Sequence, residues 1–189
     1  MTINKQLLIL ITSGTGYVGS ILIRKLLLDN FRIAYIDKLN FTGDFLVGVW
    51  GRPGFEFRRI DITNFADVDK IIEASEFSAI IYLVSLVGDL ACKLEPELAV
   101  KTNKGASIYL LNKAVERKIE RFIFASTCSN YEKMDSSEEY VDETSQLSPV
   151  SLYAELKMEV ENYLLHEIDK REGFYPAVLR FAAVFSVSI

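Results

Sequence analysis

The sequence predicts a three-layer, doubly wound α/β fold built on a parallel sheet. Short apolar runs alternate with segments whose apolar residues recur at helical spacing, a pattern typical of repeated βαβ units. The run "SAIIYLVS" (78–85) is almost continuously apolar, as expected for a strand that helices cover on both faces. The chain has 189 residues, and 50% of them are hydrophobic, so we expect one domain with a substantial core.

The elements are predicted in a regular order along the chain. Strands are expected at 6–12, 31–37, 55–61, 78–85, 121–127 and 176–185. Helices are expected from Val18 to Asn30, from an Asn64 cap through Ile72, from Pro96 to Lys118 and from Ser151 to Glu172. Segments 38–54 and 129–148 are expected as loops. The crossovers are expected to be right-handed. We expect the strand order 3-2-1-4-5-6.

Composition excludes several classes of function. The 21 basic and 26 acidic residues leave a net charge of −5, and no basic stripe points to a nucleic-acid partner. Cys92, Cys128 and the single histidine, His166, are too few for a disulfide framework, a zinc site or a Ser-His-Asp triad, so no metal is expected. No apolar run approaches the ~20 residues that span a bilayer. We therefore expect a soluble cytoplasmic protein without a membrane partner.

A glycine loop lies between the first predicted strand and the first helix. In "TSGTGYVGS", Gly14, Gly16 and Gly19 have the G-x-G-x-x-G spacing of a Rossmann-type dinucleotide site. Such glycines let the backbone approach a pyrophosphate at a helix N-terminus. Asp37 ends the second strand, where a carboxylate accepts the ribose hydroxyls of NAD and repels the extra phosphate of NADP. The neighbouring Lys38 weakens that preference, and a glycine turn in an unrelated α/β protein is the alternative.

Tyr153 and Lys157 lie four residues apart and therefore on one face of the last predicted helix. A phenol with a pKa near about 10 is a poor base at neutral pH. We expect the ammonium, together with a positively charged nicotinamide, to lower the pKa of Tyr153 and suit it to acid/base chemistry. The alternative for this pair is a solvated helix face.

Hydroxyl side chains follow the fifth predicted strand in "FASTCSNY" (124–131). Ligands of open α/β sheets lie beyond the carboxyl ends of the strands. Ser126, Thr127 and Ser129 are therefore expected where a substrate oxygen would accept a hydrogen bond. Ordinary turn chemistry at a strand end is the alternative.

Six motifs follow one another along nearly the whole chain. They are "TSGTGYVGS", "RRIDITN" with Asp61 and Ile62, "YLVSLVGDLACKLEPELAVKTNKGAS" with Asn103, "RFIFASTCSNY", "SLYAELK" and "AVLRFAAVF" with Arg180. In this order they resemble the extended short-chain dehydrogenases/reductases of the NAD-dependent epimerase/dehydratase family, which act on nucleotide sugars. The resemblance implies one NAD-binding Rossmann domain over 1–189, without the family's C-terminal substrate segment.

The resemblance also assigns site residues. It implies that Tyr153 is the acid/base, that Lys157 holds the nicotinamide ribose, and that Thr127 bridges to the sugar oxygen. The residues implied to contact NAD, besides Tyr153 and Lys157, are Gly14, Gly16, Tyr17, Val18, Gly19, Asp37, Asp61, Ile62, Leu83, Val84, Ser85 and Asn103. A homodimer formed through the helices beside the fourth and fifth strands is also implied.

The chain departs from the family pattern at several positions. Ser13 stands at the family's first glycine, and Val84 is expected to crowd the pyrophosphate. Three functions follow: an NAD-dependent epimerase/dehydratase-like oxidoreductase, a non-catalytic NAD-binding module or inactive truncated paralogue, and an NADP-dependent carbonyl reductase.

Overall fold

The sheet has six parallel strands in the order β3-β2-β1-β4-β5-β6, which confirms the predicted fold class and strand order. The computed structural model describes residues 7–13, 16–40, 44, 47–131, 140–168, 171–182 and 184. The strands are β1 Leu8–Thr12, β2 Arg32–Asp37, β3 Phe55–Arg59, β4 Ala79–Tyr82, β5 Arg121–Thr127 and β6 Tyr175–Phe181. Because all strands run the same way, their carboxyl ends meet at one edge of the sheet.

Helices lie on both faces of this sheet. They are α1 Tyr17–Leu28, α2 Phe65–Ala74, α3 Asp89–Leu94, α4 Pro96–Ala99, α5 Ala106–Glu116 and α6 Leu152–Asn162. A π-helical segment, Val100–Gly105, joins α4 to α5, and a second one, Tyr163–Ile168, continues α6. A 3₁₀ turn, Cys128–Tyr131, follows β5 directly.

Alternate residues of the central strands feed two separate cores. Leu10, Ile80 and Phe122 face the core that α2, α5 and α6 cover. Ile11 and Tyr35 face the opposite core, beneath α1. Both faces of a central strand are therefore apolar, and full burial of each such side chain contributes about 1.5–3 kcal/mol. The edge strand β3 has no fully buried residue, which explains its alternating sequence.

Several predicted boundaries were wrong. β4 ends at Tyr82 rather than at Ser85, because the backbone N–H groups of Leu83 and Val84 turn toward the Thr12 hydroxyl. The sequence analysis did not predict α3, and the predicted helix 96–118 contains the π-helical segment. Asn64 does occupy the N-cap of α2, but its amide donates to the Asp67 carboxylate (2.6 Å) and accepts no backbone bond.

Candidate functional site

Two adjoining cavities follow the carboxyl edge of the sheet. The first, which we call the β1–β3 pocket, lies beyond β1, β2 and β3 and is lined by Asp37, Asp61 and Ile62 among others. The second, the β4–β6 cleft, has a volume of about 480 Å³ and is lined by Thr127, Tyr153 and Lys157 among others. Ser85 lines both cavities, so the two form one continuous groove.

The glycine loop opens this groove between β1 and α1. Ser13 has a φ of 60°, in the left-handed region, and its N–H donates to the Ile36 carbonyl oxygen at 2.9 Å. A side chain in that conformation costs roughly 1–2 kcal/mol, which explains why glycine suits the position. Gly16 forms the N-cap of α1, and Gly19 is buried in its first turn. Gly14 lies outside the described residues.

The N-terminus of α1 points its backbone toward the groove. Among the described residues no side chain caps this end of the helix, so the first-turn N–H groups and the helix dipole can face an anion. Gly16 lines the β1–β3 pocket and Val18 lines the β4–β6 cleft. Tyr17, between them, is 39% exposed. The arrangement suits a pyrophosphate placed where the two cavities meet.

Asp37 lies at the end of β2 in a fixed orientation. One carboxylate oxygen accepts the Tyr35 hydroxyl at 2.5 Å, and the other accepts the Leu39 N–H at 2.7 Å. These two bonds fix the orientation of the Asp37 carboxylate. It faces the β1–β3 pocket.

Lys38 and Asp61 form an ion pair across the same pocket. The Lys38 Nζ lies 2.8 Å from the Asp61 carboxylate. Burial raises the pKa of Asp61, but bonds from Lys38 and from the Thr63 N–H and hydroxyl outweigh burial, so the pKa is lowered overall. Lys38 is therefore already engaged by a carboxylate. Ile62 is 6% exposed and adds an apolar wall beside the pair.

The loop after β4 is held from two sides. The Thr12 hydroxyl oxygen accepts the N–H groups of Leu83 (3.1 Å) and Val84 (3.4 Å). Asn103, fully buried, accepts the Leu86 N–H at 2.7 Å and donates to the Leu86 carbonyl oxygen at 3.0 Å. Asn103 thus braces the loop and does not line either cavity. Val84 lines the β1–β3 pocket but also packs against the core, and its predicted crowding of a pyrophosphate stays a prediction.

Ser85 sits where the two cavities meet. Its hydroxyl oxygen is buried and has no hydrogen-bond partner among the described residues. Native proteins seldom leave such an atom unpaired unless a ligand or water completes it. A polar ligand lying along the groove would supply the missing partner, and this fits a dinucleotide that crosses from one cavity to the other.

Lys157 is enclosed beneath the β4–β6 cleft. It is 1% exposed, and its Nζ donates to the Ala125 carbonyl oxygen at 2.8 Å. Nζ also lies 4.7 Å from the centre of the Phe124 ring and 6.0 Å from that of Tyr153. Burial lowers the pKa of Lys157 to about 7, although the Glu161 charge opposes the change. The side chain is therefore close to the balance between ammonium and amine at neutral pH.

Tyr153 faces the cleft from the first turn of α6. Ser151 caps this helix by accepting the Ala154 N–H at 3.3 Å. Burial raises the pKa of Tyr153, and the nearby Ser85 hydroxyl opposes the rise without forming a hydrogen bond of ordinary geometry. The expected lowering of this pKa was for Lys157 acting together with a positively charged nicotinamide. In the protein without cofactor burial dominates and the pKa is raised, and the joint effect of Lys157 and nicotinamide stays a prediction.

Thr127 ends β5 and lines the β4–β6 cleft. Its hydroxyl oxygen accepts the Ser129 N–H at 3.1 Å, which leaves the O–H free to donate. Ser126 also borders the cleft, but its hydroxyl donates to the buried Glu161 carboxylate. Of the three hydroxyls singled out at this strand end, Ser126 is therefore committed to an internal bond.

The sequence analysis missed two residues that organise this edge. Thr12 ties β1 to the loop after β4, and Glu161 ties α6 to β5. A polar residue ending the apolar run "LLILIT" was the available signal for Thr12. Glu161 lies one turn after Lys157 on the same helix face, but its complete burial could not be read from that spacing.

Residues 9–188 match the family model described as "NAD dependent epimerase/dehydratase family". The chain belongs to this family. The cofactor of this family is NAD, as predicted from the glycine loop and Asp37. The placement of these residues in the groove agrees with the family's nucleotide chemistry.

Relatives in this family carry sugar-nucleotide names. The chain is 26% identical over 179 residues to a probable UDP-arabinose 4-epimerase 3 of Arabidopsis thaliana, covering 92% of this chain and 43% of that protein. It is 27% identical over 184 residues to a UDP-glucuronate 4-epimerase of Thermodesulfobacterium geofontis, covering 93% of this chain and 55% of that protein. It therefore spans about half the length of these curated relatives.

Solved structures of the family superpose closely. A UDP-glucose 4-epimerase of Thermotoga maritima, solved with UDP-glucose, is 25% identical with a TM-score of 0.85, covering 95% of this chain and 56% of that one. A UDP-Glc/GlcNAc 4-epimerase of Campylobacter jejuni, also 25% identical, gives a TM-score of 0.85 over 92% of this chain and 53% of that one.

None of the helices in the described part of the chain has the length and apolar character needed to cross a membrane. The described residues also contain no group of three His, Cys, Asp or Glu side chains that could hold a metal ion.

Proposed function

We propose that this chain binds NAD along its groove and forms the cofactor half of an epimerase that acts on a UDP-sugar. One observation carries the proposal. Asp37, suited to ribose hydroxyls, lines one of two cavities that meet at Ser85, and the Tyr153–Lys157 pair, suited to proton transfer, lines the other. The names of the relatives supply the substrate class.

The β1–β3 pocket would take the adenosine half of NAD. Asp37 would accept the ribose hydroxyls, Ile62 and Asp61 would border the adenine, and the N-terminus of α1 would face the pyrophosphate. Because Lys38 is paired with Asp61, the carboxylate of Asp37 sets the charge at the ribose. This favours NAD over NADP and disfavours the alternative of an NADP-dependent carbonyl reductase.

The β4–β6 cleft would hold the reacting end. NAD, when bound, supplies a hydride acceptor for a sugar carbon that bears a hydroxyl group. Tyr153 would remove the proton of that hydroxyl and later return it, while the Thr127 O–H would donate to the same oxygen. Lys157, as an ammonium, would donate to the nicotinamide ribose and favour the Tyr153 phenolate.

A second candidate is a non-catalytic NAD-binding module. The raised pKa of Tyr153 favours it, because a protonated phenol is a poor base at neutral pH. In that case the Tyr153–Lys157 pair would contribute contacts to the cofactor only.

Calorimetric titration of the purified chain with NAD and NADP tests the binding proposal. We expect NAD to bind and NADP to bind at least about tenfold more weakly, a difference that one repulsive carboxylate–phosphate contact can supply. Binding of neither cofactor at millimolar concentration contradicts the proposal. Incubation of the NAD-loaded chain with UDP-glucose, UDP-arabinose or UDP-glucuronate, followed by chromatography for the 4-epimer, then separates the two candidates. Formation of the 4-epimer contradicts the binding module.

A further inference from the structure

Glu161 is a buried carboxylate that the proposed chemistry does not use. It is fully buried and lies on α6 one turn after Lys157. Removing a carboxylate from water costs several kcal/mol unless partners compensate for the lost hydration. Its partners therefore show what the charge does at this position.

Three elements meet at the Glu161 carboxylate. One oxygen accepts the Ser126 hydroxyl of β5 and the Asn130 side-chain amide of the 3₁₀ turn, the latter at 2.6 Å. The other oxygen accepts the Nε–H of Arg180 on β6 at 2.9 Å, and the Nη2 of Arg180 lies 2.8 Å from it in an ion pair. We call these four residues the Glu161 cluster.

The cluster borders the residues that face the groove. Ser126 lies between Ala125, whose carbonyl oxygen holds the Lys157 Nζ at 2.8 Å, and Thr127, which lines the β4–β6 cleft. A bond from Glu161 to Ser126 therefore fixes the end of β5 against the helix that carries Tyr153 and Lys157. Two links, Lys157–Ala125 and Glu161–Ser126, hold consecutive residues of one strand.

We propose that Glu161 is a positioning residue for Lys157 and Thr127, because it clamps the end of β5 to α6 and places a buried negative charge one helical turn from the Lys157 ammonium. This inference rests on the proposed function of the same groove. The charged and titratable groups that act on Lys157 are Glu161 on its own helix and Cys92 on α3, with Tyr153 alongside. Glu161 also forms a salt bridge with Arg180.

Substitution Glu161→Gln tests the role of the charge. The new amide can be accommodated, because Asn130 Oδ1 has no partner in the described structure and can accept from it after a flip of the Asn130 amide. Since Glu161 raises the pKa of Lys157, its neutralisation lowers that pKa further. We expect the Lys157 titration, followed by NMR of labelled lysines without cofactor, to move down by about one pH unit or more. Glu155→Gln, the same change at an exposed position of α6, should leave it in place.

Substitution Ser126→Ala tests the contact between β5 and α6 separately. It decides the positioning role of Glu161 if Glu161→Gln does not fold. It removes the hydrogen bond that Ser126 donates to Glu161 and the longer one that it accepts from the Asn130 amide (3.4 Å), and it keeps the pair between Glu161 and Arg180. We expect amide exchange across Ala125–Ser129 to accelerate by about tenfold, as for the loss of one hydrogen bond to a charged group, while the Lys157 titration stays in place. Unchanged exchange in Ser126→Ala, or an unchanged Lys157 titration in a folded Glu161→Gln variant, overturns the inference.

The affinity for NAD separates this inference from the proposed function. If the Lys157 ammonium contacts the cofactor, the affinity falls as the pH rises through the Lys157 pKa, and Glu161→Gln moves that fall to lower pH. Absence of NAD binding contradicts the proposed function but leaves the cofactor-free titration to decide the role of Glu161. If NAD affinity falls with pH in the same way in the unsubstituted chain and in Glu161→Gln, the role of Glu161 is overturned and the proposed function stands.

Discussion

Single residues at the carboxyl edge of the sheet carry conflicting demands of burial and charge. Lys157 is almost completely buried, yet the chemistry proposed for it needs a positive charge. Its pKa of about 7 expresses this conflict, because burial favours the amine while Glu161 favours the ammonium. Ser13 shows a similar compromise, since its left-handed backbone keeps the turn that a glycine would make with less strain. Both residues lower the free energy of unfolding and in return maintain the geometry of the groove.

Replacing Lys157 by methionine should stabilise the protein in a pH-dependent way. The folded-state pKa of about 7 lies below the ordinary value of 10.5, so the unfolded chain binds more protons between these limits. Lys157 therefore destabilises the fold most below pH ~7, and the penalty fades as the pH rises toward ~10.5. We expect Lys157→Met to raise the melting temperature more at pH ~6 than at pH ~9.

Thermal unfolding at the two pH values measures this effect. Lys101→Met, at an exposed position of the π-helical segment, serves as the control and should give the same small change at both. A gain for Lys157→Met that is equal at the two pH values would mean that Lys157 is not buried as an ammonium.

At the scale of elements, side chains at strand ends decide where each strand stops. β4 leaves the sheet at Tyr82 because the Thr12 hydroxyl of the neighbouring strand captures the next two backbone N–H groups. On the opposite side, the side chain of Asn103 in the π-helical segment accepts the Leu86 N–H and donates to the Leu86 carbonyl oxygen. The loop that contains Ser85 is therefore held by hydrogen bonds to Thr12 of β1 on one side and to Asn103 of the π-helical segment on the other.

Substitution Thr12→Val keeps the shape of this side chain and removes the acceptor. Two backbone N–H groups then lose their partner, and each costs about 1–3 kcal/mol if it stays buried. We expect a loss of about 2 kcal/mol or more in the free energy of unfolding, measured with urea, and weaker binding of NAD because Ser85 shifts. Thr144→Val, at an exposed position, should cost less than about 0.5 kcal/mol. A fully stable Thr12→Val variant would show that water replaces the hydroxyl.

At the scale of the whole molecule, the residues proposed to bind NAD and the residue proposed to transfer the proton line different parts of the groove. Asp37 lines the β1–β3 pocket, and Tyr153 lines the β4–β6 cleft. Changes at the two ends should therefore act independently, since sites without shared partners have nearly additive effects.

Two substitutions test this separation. Asp37→Ala should weaken NAD binding by about tenfold or more, through loss of a charge-assisted acceptor. Tyr153→Phe should leave NAD affinity nearly intact and abolish any epimerisation. Affinities from calorimetry for both single variants and for the double variant decide the point. A double variant whose loss clearly differs from the combined single losses would indicate coupling through the groove.

The sequence analysis predicted some features well for a physical reason. Periodicity and turn residues act over a few neighbouring residues, so all six strands and their order were correct. The Arg121–Thr127 strand was predicted at both ends. The contact between Asn103 and the cofactor stays a prediction, and local patterns did not predict the bonds that the Asn103 amide makes to the Leu86 backbone.

By itself the sequence determined the doubly wound sheet and the positions of Asp37 and Thr127 at one edge, because strand polarity places every carboxyl end together. Tyr153 and Lys157, which lie on a helix, were assigned to the same edge from the resemblance to the family. Only the tertiary structure decided the state of the groups at that edge. Desolvation of Tyr153 and Lys157, the pairing of Lys38 with Asp61, and the closure of the Glu161 cluster all depend on neighbours from other elements. Charge and hydration respond to the surroundings in space, and local sequence patterns do not encode them.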